Sequence, residues 1–224
     1  MTTTVDPRTG APVSRVTPLA GTRGEELGVR SEILREVQAS LALWRLDLDS
    51  ELLFTGDAGT TEPSRSSRRQ GVELSARWHP LRWLLLDVDL AWSRARFTSP
   101  DPDPRVKGNQ IPGAIESAVS AGISVHELGP WSASVFVRYF GPRPLVEDGS
   151  HRSTSSTLVN AQLGWKVASL AKLTLDVFNL LDARVDDIAY FYTSRLRDER
   201  AARDDVHFHP AEKRGARLAA AVTF

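Results

Sequence analysis

The feature that most constrains this chain is a two-residue hydrophobic period that returns along nearly its whole length. In Val72-Glu73-Leu74-Ser75-Ala76-Arg77-Trp78-His79, the Val, Leu, Ala and Trp side chains share one face, and Glu, Ser, Arg and His share the other. That alternation belongs to a β-strand lying between two different environments. Leu84, Leu86, Val88, Leu90 and Trp92 repeat it, with Asp87, Asp89 and Ser93 opposite and only Leu85 and Ala91 blurring the second face. His79-Pro80-Leu81-Arg82 between the two segments predicts a tight turn, hence an antiparallel hairpin. Val119, Ala121, Ile123 and Val125 follow, then Trp131, Ala133, Val135 and Val137, joined by the turn Glu127-Leu128-Gly129-Pro130. Val159, Ala161, Leu163, Trp165 and Val167 continue the series, then Leu173, Leu175 and Val177, and finally Leu218, Ala220, Val222 and Phe224. Near the N-terminus, Leu27 and Val29 predict a short strand. Ala39, Leu41 and Leu43 there change phase to Trp44, Leu46 and Leu48, which predicts a β-bulge near Leu43. The total is about eight or nine strands.

The connections alternate in length. Turns at Pro80, Gly129-Pro130 and Ala168-Ser169 are short, whereas residues 56–67, 98–112, 141–157 and 183–210 are long and polar, and all the long ones fall at one end. Short turns on one rim and long loops on the other form the asymmetry of an outer-membrane barrel. Trp78, Trp83, Trp131 and Trp165 stand beside the short turns, where an interfacial aromatic girdle lies. A mean hydropathy of -0.25 does not oppose this, because a barrel needs apolar residues only at alternate positions. No run approaches the roughly 18 apolar residues of a membrane-spanning helix. The balance of 28 Lys+Arg against 28 Asp+Glu argues against a basic nucleic-acid face. The lack of cysteine excludes thiolate metal sites and cysteine nucleophiles. The first residues show no basic segment leading into an apolar one, so the expectation is that the sequence as it stands carries no signal peptide.

Several motifs in order resemble the C-terminal part of the β-barrel of TonB-dependent outer-membrane receptors. Arg68-Arg69-Gln70-Gly71-Val72-Glu73-Leu74 is similar to a strand start of such receptors, and Ile111-Pro112-Gly113-Ala114 to their descent into a strand. The stretch from Arg138 through Tyr139-Phe140-Gly141-Pro142-Arg143 to Leu145 is similar to a late-barrel rim. Leu175-Asp176-Val177-Phe178-Asn179-Leu180-Leu181-Asp182 resembles the penultimate-strand motif, with Leu181 where Phe is usual. The terminal strand carrying Leu218, Ala220, Val222 and Phe224 is similar to the outer-membrane insertion signal read by the barrel-assembly machinery. The resemblance implies an all-β antiparallel up-and-down meander. It would be part of a transmembrane barrel of about 22 strands, with residues 1–21 an irregular N-terminal segment and 22–224 the C-terminal barrel portion. It further implies a location in the cell outer membrane, with lipid, the assembly machinery, and the missing N-terminal strands and plug domain as partners. The function it implies is uptake of a scarce ligand such as an iron-siderophore, with this fragment inactive by itself.

Other chemistry finds little support. His207-Phe208-His209 puts two imidazoles on one side of an extended segment, but a metal site needs further ligands and none is assigned. Asp47, Asp49, Asp87 and Asp89 read as polar lumen-facing residues pairing with Arg45 and Arg94. The serines at 64–67 and 153–156 have no base marked beside them, and the charged run 194–203 reads as a solvated loop. The expectation is therefore no enzyme, no catalytic or metal residue, no cofactor and no nucleic-acid partner. Two alternatives are a small closed outer-membrane barrel with a structural or adhesive role, and a soluble all-β binding module whose apolar face is buried.

Overall fold

The computed structural model describes residues 4–5, 12–13, 20–34, 36–55, 60–63 and 65–223. Every regular element among them is a strand. In chain order these are β1 (Thr4–Val5), β2 (Pro12–Val13), β3 (Thr22–Leu34), β4 (Val37–Leu48), β5 (Leu52–Thr55), β6 (Thr60–Pro63), β7 (Ser67–Leu81) and β8 (Leu84–Phe97). There follow β9 (Ser117–Leu128), β10 (Trp131–Phe140), β11 (Ser156–Ala168), β12 (Ala171–Phe178), β13 (Asp186–Ser194), β14 (Arg203–Pro210) and β15 (Gly215–Val222). Nine of them form one sheet in the order β15-β12-β11-β10-β9-β8-β7-β4-β3. All neighbours are antiparallel and follow one another up and down. The pairs β1–β2, β5–β6 and β13–β14 are separate ribbons. Among the described residues the sheet does not close, because β3 and β15 each pair on one side only.

Register converts the sequence period into two continuous surfaces. One cross-strand row runs Val37, Trp78, Leu86, Ile123, Val135, Ala161, Val177, Ala216 across eight strands without a polar interruption. The next position along gives Gln38, Arg77, Asp87, Gly122, Phe136 and Asn160 on the opposite face. Among the described residues nothing packs against the apolar face: Leu27 is 73% exposed and Leu218 72%. A soluble sandwich buries this face to gain about 25 cal/mol per Å2 of apolar surface, so an uncovered stripe of this extent requires another apolar medium. Conversely, the well-buried apolar residues lie in or beside the long loops, with Phe97 3% and Ile111 1% exposed.

The short-turn rim is stitched together. The second residue of each turn accepts a hydrogen bond from a later strand: His79 N–H donates to Glu36 O (2.8 Å), His126 to Trp83 (2.7 Å), Lys166 to Pro130 (2.8 Å) and Thr223 to Leu170 (2.9 Å). Register shifts in the large sheet lie between Ser31 and Leu34, Trp78 and Leu81, Trp131 and Ala133, and Lys166 and Ala168, all beside these turns. Bulges collect at barrel rims because the extra twist there re-aims the chain. The β7–β8 hairpin accordingly turns at Arg82-Trp83, two residues later than the sequence suggests, after the strand has bulged past Pro80. On this rim Trp131 and Trp165 stack at 5.5 Å between ring centroids, with planes 14° apart.

No bulge occurs at Leu43, since β4 pairs with β7 in unbroken register from Val37 to Leu48. What changes is the surroundings of the outer face. Leu41 and Leu43 end the apolar band, and beyond them Arg45 and Asp47 point the same way, joined at 2.9 Å and bridged to Arg68 at 2.6 Å. Asp47 is thus on the outer face rather than the lumen face, whereas Asp87 and Asp89 keep the inner one, Asp89 accepting from Ser75 at 2.5 Å. Trp44 turns inward because its cross-strand neighbour is Gly71. A Cβ there would lie 2.8 Å from the indole Cζ2 and 2.6 Å from the Trp92 carbonyl oxygen.

Candidate functional site

At the long-loop rim the connections pack onto one another. Ile111-Pro112-Gly113-Ala114 is a tight turn in which Ala114 N–H donates to Ile111 O (3.1 Å). Gly113 sits at φ +78°, the conformation that position i+2 of a type II turn demands after a proline. This turn docks on the next loop, with Gly113 N–H donating to Pro144 O and Gln110 N–H to Glu147 O, both at 2.8 Å. Arg65, from the loop after β6, reaches across both. It donates to Ser99 O at 3.1 Å, pairs with Asp101 at 3.4 Å and with the Glu147 carboxylate, and lies 4.0 Å over the Phe97 ring. Arg152 pairs with Glu116 and donates to Pro142 O at 2.7 Å. The β13–β14 hairpin joins through His151 stacked on Phe191 at 3.9 Å and Arg143 donating to Asp187 O at 3.0 Å. Residues 183–210, which read as a loop, therefore contain a paired ribbon. The charged run 194–203 is its tip, turned by Glu199 N–H donating to Leu196 O at 3.1 Å.

Where β4 enters its loop, Glu51 binds Arg69 at 2.6 Å and accepts from the Ser67 hydroxyl. Burial pushes the Glu51 carboxyl up, but the bonds from Arg69 and Ser67 outweigh it and hold the group below the ordinary glutamate value. A carboxyl depressed by folding stabilises the fold above its unfolded value and loses that contribution as the pH falls through the folded one. Proteolysis of residues 49–66 should accordingly accelerate only below about pH 4.3, and E51Q should abolish that pH dependence. Acceleration with the same profile in E51Q would assign it to another group.

At the foot of the loop layer the Leu175–Asp182 motif has a clear geometry. Asp176, 6% exposed, accepts from Gln162 at 2.7 Å and pairs with Arg217 of β15 at 2.9 Å, tying three strands together on the inner face. Asn179, 4% exposed and at φ +47°, donates from its side chain to Ala183 O (3.0 Å) and Glu212 O (2.9 Å) and accepts from Ala183 N–H (2.9 Å). Asp182 at φ +51° accepts from Arg214 N–H at 3.1 Å. The motif thus fixes both ends of the last long connection, through contacts that the sequence marks by pattern but does not explain.

Of the residues assigned to the insertion signal, Leu218, Ala220 and Val222 lie on the outer face of β15, opposite Leu175, Leu173 and Ala171, at the free edge of the sheet. Phe224 lies outside the described residues. His207 stacks on Tyr192 at 4.0 Å, and among the described residues no three His, Asp or Glu side chains gather as metal ligands. Arg65 and Glu147 carry no sequence signal, being 82 residues apart.

An open antiparallel meander with an uncovered apolar outer face, a polar inner face and long loops on one rim is a wall segment of an outer-membrane β-barrel. A family model described as "TonB dependent receptor-like, beta-barrel" matches residues 23–180. The chain belongs to the TonB-dependent receptor family, in its β-barrel part. These proteins are outer-membrane transporters and not enzymes, so this chain is an outer-membrane protein. The fold matches the ferric yersiniabactin uptake receptor FyuA from Yersinia pestis with a TM-score of 0.69 at 21% identity, over 91% of this chain and 30% of that one. It matches the ferric-catecholate import receptor Fiu from E. coli K12 (TM-score 0.65, 20% identity, 89% and 27%) and the copper transporter OprC (0.65, 18%, 91% and 32%). The chain therefore spans about 30% of the length of these structures. No curated protein matches it.

Proposed function

We propose that residues 22–224 form the C-terminal wall of a receptor that imports a scarce, large ligand of the iron-siderophore kind, and that they are inactive without further strands and a plug. The observation that carries this reading is the pair of free edges on β3 and β15. In a bilayer each unpaired N–H or C=O along an edge costs several kcal/mol, so such a sheet needs neighbours to span stably. The likeness to ferric-siderophore receptors supports the ligand class, and the packed loops after β6, β8, β10 and β12 are where contacts to it belong. Leu218, Ala220, Val222 and Phe224 serve in this reading as the signal for the assembly machinery.

The test is to refold the full chain in detergent micelles and compare its gel mobility with and without boiling, alongside ferric-siderophore uptake by a receptor-deficient strain expressing it. No heat-dependent mobility shift and no uptake are expected from the chain by itself, with uptake appearing when the remaining strands and plug are supplied. A compact species that unfolds only on boiling would instead establish a small closed barrel.

A further inference from the structure

Immediately beyond the apolar band at the long-loop end, the outer face turns basic over three adjacent strands. The last apolar row is Leu43, Val72 and Trp92, with Trp92 54% exposed. The next outward row is Arg45, Gln70 and Arg94, and the one after it is Asp47, Arg68 and Arg96. Four guanidinium groups on these three strands thus surround one carboxylate, and β3 continues the two rows with Glu25 and Arg23, which pair with each other at 2.8 Å. Asp47 is already shared by Arg45 at 2.9 Å and Arg68 at 2.6 Å. Among the described residues Arg96 reaches only the neutral Asn109, at 3.3 Å, and Arg94 has no ionic partner. Arg68 and Arg96 stand directly opposite each other, an unfavourable arrangement of like charges that the Asp47 carboxylate offsets at Arg68 but not at Arg96.

We propose that the platform of Arg45, Arg68, Arg94 and Arg96 is a binding site for a net-negative phosphomonoester on the head group of an outer-leaflet lipid. Long loops mark the extracellular side of a barrel, so this platform stands at the head-group level of the outer leaflet. Planar guanidinium groups match phosphate oxygens two at a time. The exposed Trp92 and Leu43 directly below give the acyl chains of the same molecule an apolar seat. That adjacency selects an amphipathic ligand over a free anion, which would gain nothing from the tryptophan. The inference rests on the apolar face meeting lipid. Failure of that premise would show separately, as a chain that stays monomeric in buffer without detergent.

Native mass spectrometry of the full chain in non-ionic detergent tests the site with three probes: phosphatidic acid, phosphatidylcholine and inorganic phosphate. Selective retention of phosphatidic acid is expected. The double variant R94Q/R96Q should weaken it about 25-fold, each surface arginine contributing roughly a factor of five, while R94K/R96K should restore most of it. Equal retention of phosphatidylcholine, or binding unchanged in the glutamine variant, would overturn the proposal. Displacement of phosphatidic acid by equimolar inorganic phosphate would overturn the lipid assignment and leave a free-anion site.

Discussion

Replacing Leu90 by arginine should lower the partitioning of the chain into lipid vesicles by roughly thirtyfold or more. Leu90 lies in the middle of the apolar band, in the row Leu41, Leu74, Leu90, Val119, and faces outward. A basic residue at the mid-plane of a barrel's lipid face costs about 2–4 kcal/mol. Every 1.4 kcal/mol is a factor of ten in an equilibrium constant. Its sequence neighbour Asp89 points to the inner face, where it accepts from Ser75, so Asp89→Asn should leave partitioning within a factor of a few. Flotation of the full chain with vesicles measures both. Equal losses in the two variants would mean that the two faces have been assigned wrongly.

The second large effect is expected at Asn179. Asn179→Ala removes the partners of Ala183 N–H, Ala183 O and Glu212 O together. Each buried polar group left unpaired costs about 1–3 kcal/mol. An alanine held at a φ near +47° adds roughly 1–2 kcal/mol of backbone strain. The connection between β12 and β15 should therefore open, seen as loss of amide-exchange protection at residues 180–185 and 214–217. Asn179→Gly loses the same side-chain bonds but tolerates the backbone, so it should fall between wild type and Asn179→Ala. Asn179→Asp keeps the acceptor for Ala183 N–H while placing a charge against two carbonyl oxygens, and should open the connection as well. Protection unchanged in Asn179→Ala would show that the strands hold this connection without it.

These two positions mark different depths of legibility. Leu90 is readable from its neighbours alone, because the two-residue period is a local property of an extended chain and one slip would move every side chain to the wrong face. The hairpin order, the loop asymmetry and the tryptophans near the short turns follow from the same local evidence. Asn179 is half legible: its place in Leu175–Asp182 is a pattern, but its partners at Ala183 and Glu212 are visible only once the chain has returned.

At Trp44 and Asp47 local reading failed. An apparent phase change suggested a bulge and a lumen-facing aspartate. In the folded sheet β4 is regular, Trp44 turns inward onto Gly71 of the neighbouring strand, and Asp47 lies outward between two arginines. The phase of a strand can be read from sequence only where its two faces keep the same surroundings, and the outer face of β4 passes from the apolar band into the charged rows beyond it. The β13–β14 ribbon escaped for a related reason, since Ile188, Tyr190 and Tyr192 alternate with Ala189 and Phe191 and so show little contrast between faces.

By itself, then, the sequence determined that this chain is a meander of strands with one lipid-compatible face and long loops on one rim. That outcome depends on side-chain periods and turn residues, which act over a few positions. Long-range strand pairing and loop docking set the rest: the loops pack into a layer clamped by Arg65 and Glu147, basic residues collect above the apolar band, and the sheet of described strands keeps two unpaired edges. Those features depend on which strands lie side by side, and contacts between residues far apart in the chain leave no period in the sequence to read.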